Sequence, residues 1–231
     1  MKDLNDLEKT IGVHFTNADV LKEALTHRSY LNEHPEWALP HNERLEYLGD
    51  AVLELAVTEE LFTRFPELPE GELTVYRAAL VNYQRLAIVA GEIDLQQYLF
   101  MSRGEQADNS KAREVILANA IEALIGAIHL DGGYETVKNF IHRFVLVHLP
   151  EIIKTKSYRD AKSELQEIVQ EETKITPSYR VLGESGPAHR KVFQVGVFLG
   201  EEKLGEGSGA SKQEAEVEAA RSALEKMNNR Q

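Results

Sequence analysis

From Val115 to Ile128 every residue is apolar or glycine except Asn119 and Glu122. At 3.6 residues per turn such a run is a helix that other elements must enclose, because a helix apolar on all sides cannot face water. The pattern predicts a helix over Lys111–Leu130, ended by Asp131-Gly-Gly133, where glycine commonly stops a helix. Asn119 and Glu122 are three residues apart and so share a face. An ionised glutamate among Ala, Ile and Leu is costly unless it is paired or bound to a metal, and no basic residue nearby offers itself. The bland alternative is a glutamate that reaches solvent along a seam between helices.

A second acidic stretch is His41-Asn-Glu-Arg-Leu-Glu-Tyr-Leu-Gly-Asp-Ala-Val-Leu-Glu-Leu55. At about 100° per residue, Leu45, Leu48, Val52 and Leu55 fall on one side of a helix, and Glu43, Glu46, Asp50 and Glu54 on the other. Like charges at i, i+4 each destabilise a helix by roughly 0.2–0.5 kcal/mol. One reading is a solvated acidic face. The other is an oxygen-ligand site for a hard divalent cation such as Mg²⁺, whose charge turns repulsion into coordination. Two helices carrying inward acids suggest a carboxylate cage of the kind that clamps the attacking and leaving oxygens of a phosphodiester. A di-iron bundle needs two Glu-x-x-His pairs, and neither Glu43-x-x-Glu46 nor Asn119-x-x-Glu122 supplies a histidine.

The remaining pattern divides the chain into an all-α domain over residues 1–150, a linker over 151–157 and a small α+β domain over 158–229. In the first, Leu4–Gly12 reads as an amphipathic helix, and Asn17 as the N-cap of a second. His27, Arg28 and Ser29 are either helix-end polar residues or substrate contacts. Pro35 and Pro40 bracket an exposed loop containing Trp37; the acidic helix runs to about Phe65; Glu72–Val89 is apolar at helical spacing; and Gly91–Ser110 is loop with short helical pieces. In the last domain the order is α-β-β-β-α, with helices over Asp160–Glu172 and Ser211–Met227 and strands over Ser178–Gly183, Val192–Leu199 and Glu202–Gly205. Gly186-Pro-Ala-His189 forms the first hairpin loop. Gly205-Glu-Gly-Ser-Gly leads into the last helix, whose N-terminus with Lys212 is a ready phosphate site.

Charge is unevenly spread. To Pro150 there are 13 basic and 24 acidic residues, a balance of −11; from Glu151 the counts are 13 and 14, or −1. An acidic surface repels phosphate chains, so a nucleic-acid partner has to be held by local patches. Without cysteine there is neither a disulfide nor a thiolate metal site. The acidic start lacks a signal peptide's basic and apolar regions, and no uninterrupted apolar run approaches the ~18 residues of a membrane span. The expectation is a cytoplasmic protein with no membrane partner.

His41-Asn-Glu-Arg-Leu-Glu-Tyr-Leu-Gly-Asp-Ala-Val-Leu closely resembles the signature of the bacterial ribonuclease III family, and Ile116-Leu-Ala-Asn-Ala-Ile-Glu-Ala-Leu-Ile-Gly-Ala-Ile resembles its second acidic motif. The C-terminal part resembles a double-stranded RNA-binding domain through Leu165-Gln-Glu, Gly186-Pro-Ala-His189 and Ser211-Lys-Gln-Glu-Ala-Glu. The resemblance implies a homodimeric endonuclease that depends on Mg²⁺, for which Mn²⁺ can substitute. It would cut both strands of duplex RNA by attack of metal-activated water, leaving 5′-phosphate and 3′-hydroxyl ends with a short 3′ overhang. It further implies that Glu46, Asp50 and Glu122 are metal ligands and catalytic, and that Glu43 acts at the cleavage site. Gln166, Glu167, Pro187 and His189 would meet the minor groove, with Ser211 and Lys212 at phosphates. Asn119 stands where the family usually has a fourth carboxylate. Its amide oxygen can coordinate, but it brings no charge and cannot accept a proton. The alternative reading is therefore a duplex-RNA-binding protein that cuts poorly or not at all. Gln213 stands where the family commonly has a second lysine.

Overall fold

The computed structural model describes residues 3–107, 111–155, 161–187 and 191–228, and the chain divides into two compact units, Met1–Tyr158 and Arg159–Gln231.

The first unit is helical. α1 (Leu4–Ile11) ends on Gly12, whose φ of 73° lets its N–H donate back to the Glu8 carbonyl. α2 (Ala18–Ala24) begins at Asn17, whose side-chain oxygen accepts the Asp19 N–H. There follow α3 (Arg28–Glu33), α4 (Glu43–Arg64), α5 (Glu70–Val81), α6 (Tyr83–Glu92), α7 (Arg103–Ala107), α8 (Lys111–Phe144) and α9 (Leu149–Thr155). The apolar run Glu72–Val89 is split between two helices: Asn82 takes an extended backbone (φ −69°, ψ 156°), closes α5, and opens α6 by accepting the Arg85 N–H. Apolar periodicity bridges such a break, whereas the capping asparagine makes it. Trp37 is not an exposed loop residue. It is half-buried, with its ring 5.3 Å from Tyr30 and 4.9 Å from Phe100, because an indole buries more apolar area than a surface loop leaves free.

α8 is interrupted at Gly133 (φ 78°, ψ 178°), the glycine expected to end it, and helix resumes to Phe144. Residues 111–154 are apolar and long enough to cross a membrane by length and composition. Yet Ile121, Leu124, Ile125 and Ile128 are wholly enclosed by protein. What encloses them is chiefly α4, and the two helices touch backbone to backbone. A Cβ added at Gly49 would lie 1.7 Å from the Glu122 carbonyl oxygen, and one at Gly126 would lie 2.2 Å from the Leu45 carbonyl oxygen. α4 therefore buries the arc containing Leu45, Gly49, Val52, Leu53, Ala56, Val57 and Leu61. Leu55, expected on the inward side, is 51% exposed. The docking of α8 onto Gly49 turns the helix so that Leu55 leaves the core.

The second unit is α10 (Ala161–Thr173), β1 (Ser178–Ser185), β2 (Val192–Leu199), β3 (Glu202–Gly209) and α11 (Lys212–Asn228), with an antiparallel sheet ordered β1-β2-β3. Its core joins Leu165 and Val169 of α10, Val195 and Val197 of β2, and Ala215, Ala219, Ala220 and Ala223 of α11. The glycine-rich stretch is not a loop. β3 runs on to Gly209, and a Cβ at Gly205, Gly207 or Gly209 would come within 2.6 Å of backbone atoms at Ala219 or Ala215. Alternate strand positions face the helix, and only glycine lets it settle there.

The close approach of α4 and α8 makes a testable difference between glycines. Gly49→Ala should lower stability by at least the ~1–3 kcal/mol typical of overpacking, or prevent folding. Gly91→Ala, at a helical site with nothing within 4 Å, should leave stability unchanged or raise it by up to ~1 kcal/mol. Chemical denaturation monitored by circular dichroism measures both, and equal midpoints for Gly49→Ala and the parent would refute the contact.

Candidate functional site

The Gly49–Gly126 contact brings the acids of α4 alongside the polar pair of α8. The Asn119 amide donates a hydrogen bond to the Glu46 carboxylate, and Glu122 lies close enough to Asp50 and Glu46 to feel both charges. Burial first, then Glu43, push the Glu46 carboxyl above its ordinary value; Asn119 opposes the rise and Asp50 adds to it. Burial, then Asp50 and Glu46, push Glu122 up to about 7. No cationic side chain among the described residues draws it back down.

Partnering sorts the acids of α4. Glu54 pairs with Arg77 of α5 at 3.2 Å, Glu60 with Arg64 at 2.6 Å, and Glu59 with Lys138 at 3.0 Å while also accepting the Tyr134 hydroxyl at 2.8 Å. Glu54 thus leaves the acidic stripe that sequence periodicity gave it, through a partner 23 residues away. Glu46 and Asp50 have no lysine, arginine or histidine partner among the described residues. Glu43, exposed at the start of α4, faces Arg28 at 3.4 Å and His41 at 3.9 Å. His27 and Ser29 are helix-end residues: the His27 ring caps α3 by accepting the Ser29 N–H, and the Ser29 hydroxyl accepts the Ser102 N–H.

Glu46, Asp50, Asn119 and Glu122 offer only hard oxygen donors, a set suited to Mg²⁺. Among the described residues no three carboxylate or imidazole groups are drawn together as an assembled ligand set. The seam is a row of neighbouring carboxylates and one amide. A cavity of about 380 Å³ lies elsewhere, between α4 and α5, lined by Leu61, Phe62, Leu68, Leu73 and neighbours; it begins two turns along α4 from Asp50.

In the second unit Gln166 and Glu167 are exposed on α10, and Pro187 is exposed after β1. His189 lies outside the described residues. Ser211 and Glu214 cap α11 reciprocally: the Ser211 hydroxyl accepts the Glu214 N–H at 3.1 Å, and the Glu214 carboxylate accepts the Ala210 N–H at 3.0 Å. Ser211 is thus engaged in holding the helix that presents Lys212. Sequence reading gave no role to Lys191, which packs over the Phe193 ring as Lys212 does; its one signal was its place directly after the first hairpin loop.

A ribonuclease-III-like family model matches residues 17–149, and a double-stranded RNA binding motif matches residues 161–227. Ribonuclease 3 of Dehalococcoides mccartyi is 42% identical over 229 residues, 99% of this chain and 97% of the relative. Ribonuclease 3 of Nitratiruptor is 43% identical over 224 residues, 97% of this chain and 96% of the relative. Among solved structures, the nuclease domain of ribonuclease III from Campylobacter jejuni, described for flexibility in a region involved in dimer formation, aligns with a TM-score of 0.58 at 39% identity. It covers 64% of this chain and 99% of its own.

Glu122 supplies a stability test. A carboxyl whose folded pKa is raised costs stability because the unfolded chain ionises first, so the penalty is absent below about 4.5, grows between there and about 7, and is complete above. Glu122→Gln should therefore gain on the order of 1–2 kcal/mol at pH 8, less than a full 1.36 kcal/mol per pKa unit because solvent still reaches the group. At pH 4 the two proteins should unfold together. Thermal unfolding at both pH values measures this, and a variant no more stable than the parent at pH 8 would contradict the strain assigned to Glu122.

Proposed function

The chain belongs to the ribonuclease III family and is a double-stranded-RNA-specific endoribonuclease, and from that premise we propose that Glu46, Asp50, Asn119 and Glu122 hold Mg²⁺ at the seam between α4 and α8. The observation that carries this reading is Glu122: a half-buried carboxyl pushed up to about 7, facing Glu46 and Asp50, with no cationic side chain among the described residues to offset it. Every other acid of that length of α4 has a cationic neighbour. A bound divalent cation supplies the positive charge that lets the carboxylates ionise together and that polarises water and the departing 3′-oxygen. The chain's own part is positional. Asn119 orients Glu46 through its amide, the glycine contact fixes the spacing between α4 and α8, and Arg28 with His41 holds Glu43 at the edge of the site. No side-chain nucleophile is required. The ends left are a 5′-phosphate and a 3′-hydroxyl.

The second unit binds duplex RNA, and the reading for Gln166, Glu167, Pro187, His189, Ser211 and Lys212 is contact with the shallow minor groove and the flanking phosphates of an A-form helix. Binding by shape and phosphate implies little sequence preference and a strong salt dependence.

α4 supports a dimer as well. Tyr47, Ala51, Leu55, Thr58 and Phe62 recur at helical spacing on the face turned away from the core, with Tyr47 83%, Leu55 51% and Phe62 72% exposed. An apolar stripe of this length on a helix whose other side is packed is the mark of a partner surface. The proposed partner is a second copy, giving two sites per dimer and staggered cuts in the two strands.

The alternative of a binding-only protein finds no support in the position of Asn119, whose amide donates to Glu46 within the seam.

Two measurements test the reading. Asp50→Asn or Glu122→Gln should reduce cleavage of duplex RNA in Mg²⁺ by two orders of magnitude or more, equivalent to at least ~2.7 kcal/mol in the barrier, while duplex affinity measured in chelator stays within twofold. Parental cleavage rates in both variants would remove the seam from the chemistry. Leu55→Asp should convert the protein to a monomer by light scattering with its helical content intact; an unchanged mass would place the dimer contact elsewhere.

A further inference from the structure

α2, α6 and α4 each begin at an asparagine, and the one before α4 does not cap its helix. Asn17 (φ −111°, ψ 98°) and Asn82 (φ −69°, ψ 156°) take the extended backbone that lets the side-chain oxygen turn back on the helix, and each accepts an N–H of its own first turn. Asn42, at the start of α4, already has helical backbone angles (φ −76°, ψ −8°) and makes no such bond. The Glu43 N–H goes to His41 Nδ1 at 3.4 Å instead.

The donors of Asn42 point the other way. Its side-chain amide donates to the Ala24 carbonyl at 3.3 Å, and its backbone N–H to the Thr26 carbonyl at 2.9 Å. Both acceptors lie at the end of α2, where carbonyls have no partner within the helix. Their neighbours are met locally: Thr26 Oγ1 donates to the Lys22 carbonyl at 2.6 Å, the Thr26 N–H to that of Glu23 at 3.0 Å, and the Phe100 N–H to that of Leu25 at 2.9 Å. Thr26 is 0% and Asn42 4% exposed, the two buried polar residues among the described ones. A buried carbonyl without a donor is costly, so the end of α2 and the start of α4 are tied together.

The tie fixes the first turn of α4. The Asn42 carbonyl accepts the Glu46 N–H at 2.9 Å, so Glu46 stands one turn along from the anchored residue. Glu43 directly follows the anchor, and Arg28, just beyond Thr26, faces it at 3.4 Å. The glycine contact holds α4 against α8 at Gly49. A second fixed point about two turns earlier sets the direction of the helix across the seam.

We propose that Asn42 is a positioning residue for RNA cleavage: bound to the carbonyls of Ala24 and Thr26, it forgoes capping α4 and holds Glu43 and Glu46 in place. The proposal rests on the reading of the seam between α4 and α8 as the cleavage site.

Asn42→Ser in the full chain tests it. Serine caps a helix about as well as asparagine, brings no charge, and is too short to keep the bond to Ala24, so α4 still starts but is no longer tied. The variant should cleave duplex RNA in Mg²⁺ with kcat at least tenfold below the parent's and KM within twofold. Without RNA it should bind Mn²⁺, followed by electron paramagnetic resonance, several-fold more weakly. Asn42→Asp, the same shape without the donor, should lower kcat likewise and serves if the serine chain does not fold. Leu7→Ala, a truncation in the core of α1, shows what lost stability alone does. It should lower the midpoint of thermal unfolding yet keep parental kcat and Mn²⁺ affinity at a temperature where every chain is folded. Parental kcat in a folded Asn42 variant, parental Mn²⁺ affinity in Asn42→Ser, or an equal fall of kcat in Leu7→Ala overturns the positioning role and leaves the seam reading intact. Parental cleavage by both Asp50→Asn and Glu122→Gln overturns the seam and the proposal with it.

Discussion

The backbone contact between α4 and α8 is the interaction on which the first unit depends. Leu45 and Glu122 each offer a carbonyl to the other helix where a glycine has no Cβ, and the pair of contacts is reciprocal. Without side chains between them, the helices are locked in register at this point, and polar residues within about two turns of the contact are brought alongside one another. Those residues are Glu46, Asp50, Asn119 and Glu122. The glycines therefore do not act in the chemistry; they decide that acids more than 70 residues apart in sequence share one seam. The cost shows in Glu122, which the same contact draws into a half-buried position among like charges.

Much of this was legible in the sequence, for identifiable reasons. A helix apolar except at two positions can only be interior, and its two exceptions can only share a face. The family signature and the α-β-β-β-α order are long patterns that chance does not produce. What was not legible depends on partners far away in sequence. Periodicity placed Glu54 with the other acids of α4, but Arg77 from the next helix pairs with it. Periodicity also put Leu55 inward, because the hydrophobic positions of α4 span more than half its circumference and only docking against α8 shows which half is core. The break at Asn82 carried a capping signal that a continuous apolar pattern concealed. The glycine-rich segment before α11 was read by composition as a loop, whereas its alternation of glycine with larger residues has the period of a strand.

α4 consequently has three faces with three tasks: one packs the core, one presents acids to α8, and one exposes a stripe of apolar side chains. The other acids of α4, Glu43, Glu54, Glu59 and Glu60, sit in salt bridges of the ordinary exposed kind, which contribute little to stability but give each a cationic neighbour. The seam is where that pairing stops. Charge left uncompensated inside a helical core is informative in a way that total net charge is not, since a balance of −11 over the helical part says how many acids outnumber the bases and nothing of where they lie.

The glycine row of β3 has a comparable effect on distance in the second unit. Gly205, Gly207 and Gly209 let the backbone of α11 lie directly on the strand, so the height of that helix above the sheet is set by main-chain atoms and not by the choice of any side chain. Lys212 begins α11, and Phe193 pairs with Gly209. The glycines thus help set the distance between Lys212 and the Phe193 ring. Substituting outward-facing residues of α11 would alter the chemistry offered to RNA without changing that spacing, whereas a single methyl group on the glycine row would lengthen it. The chain has in effect separated the ruler from the reader.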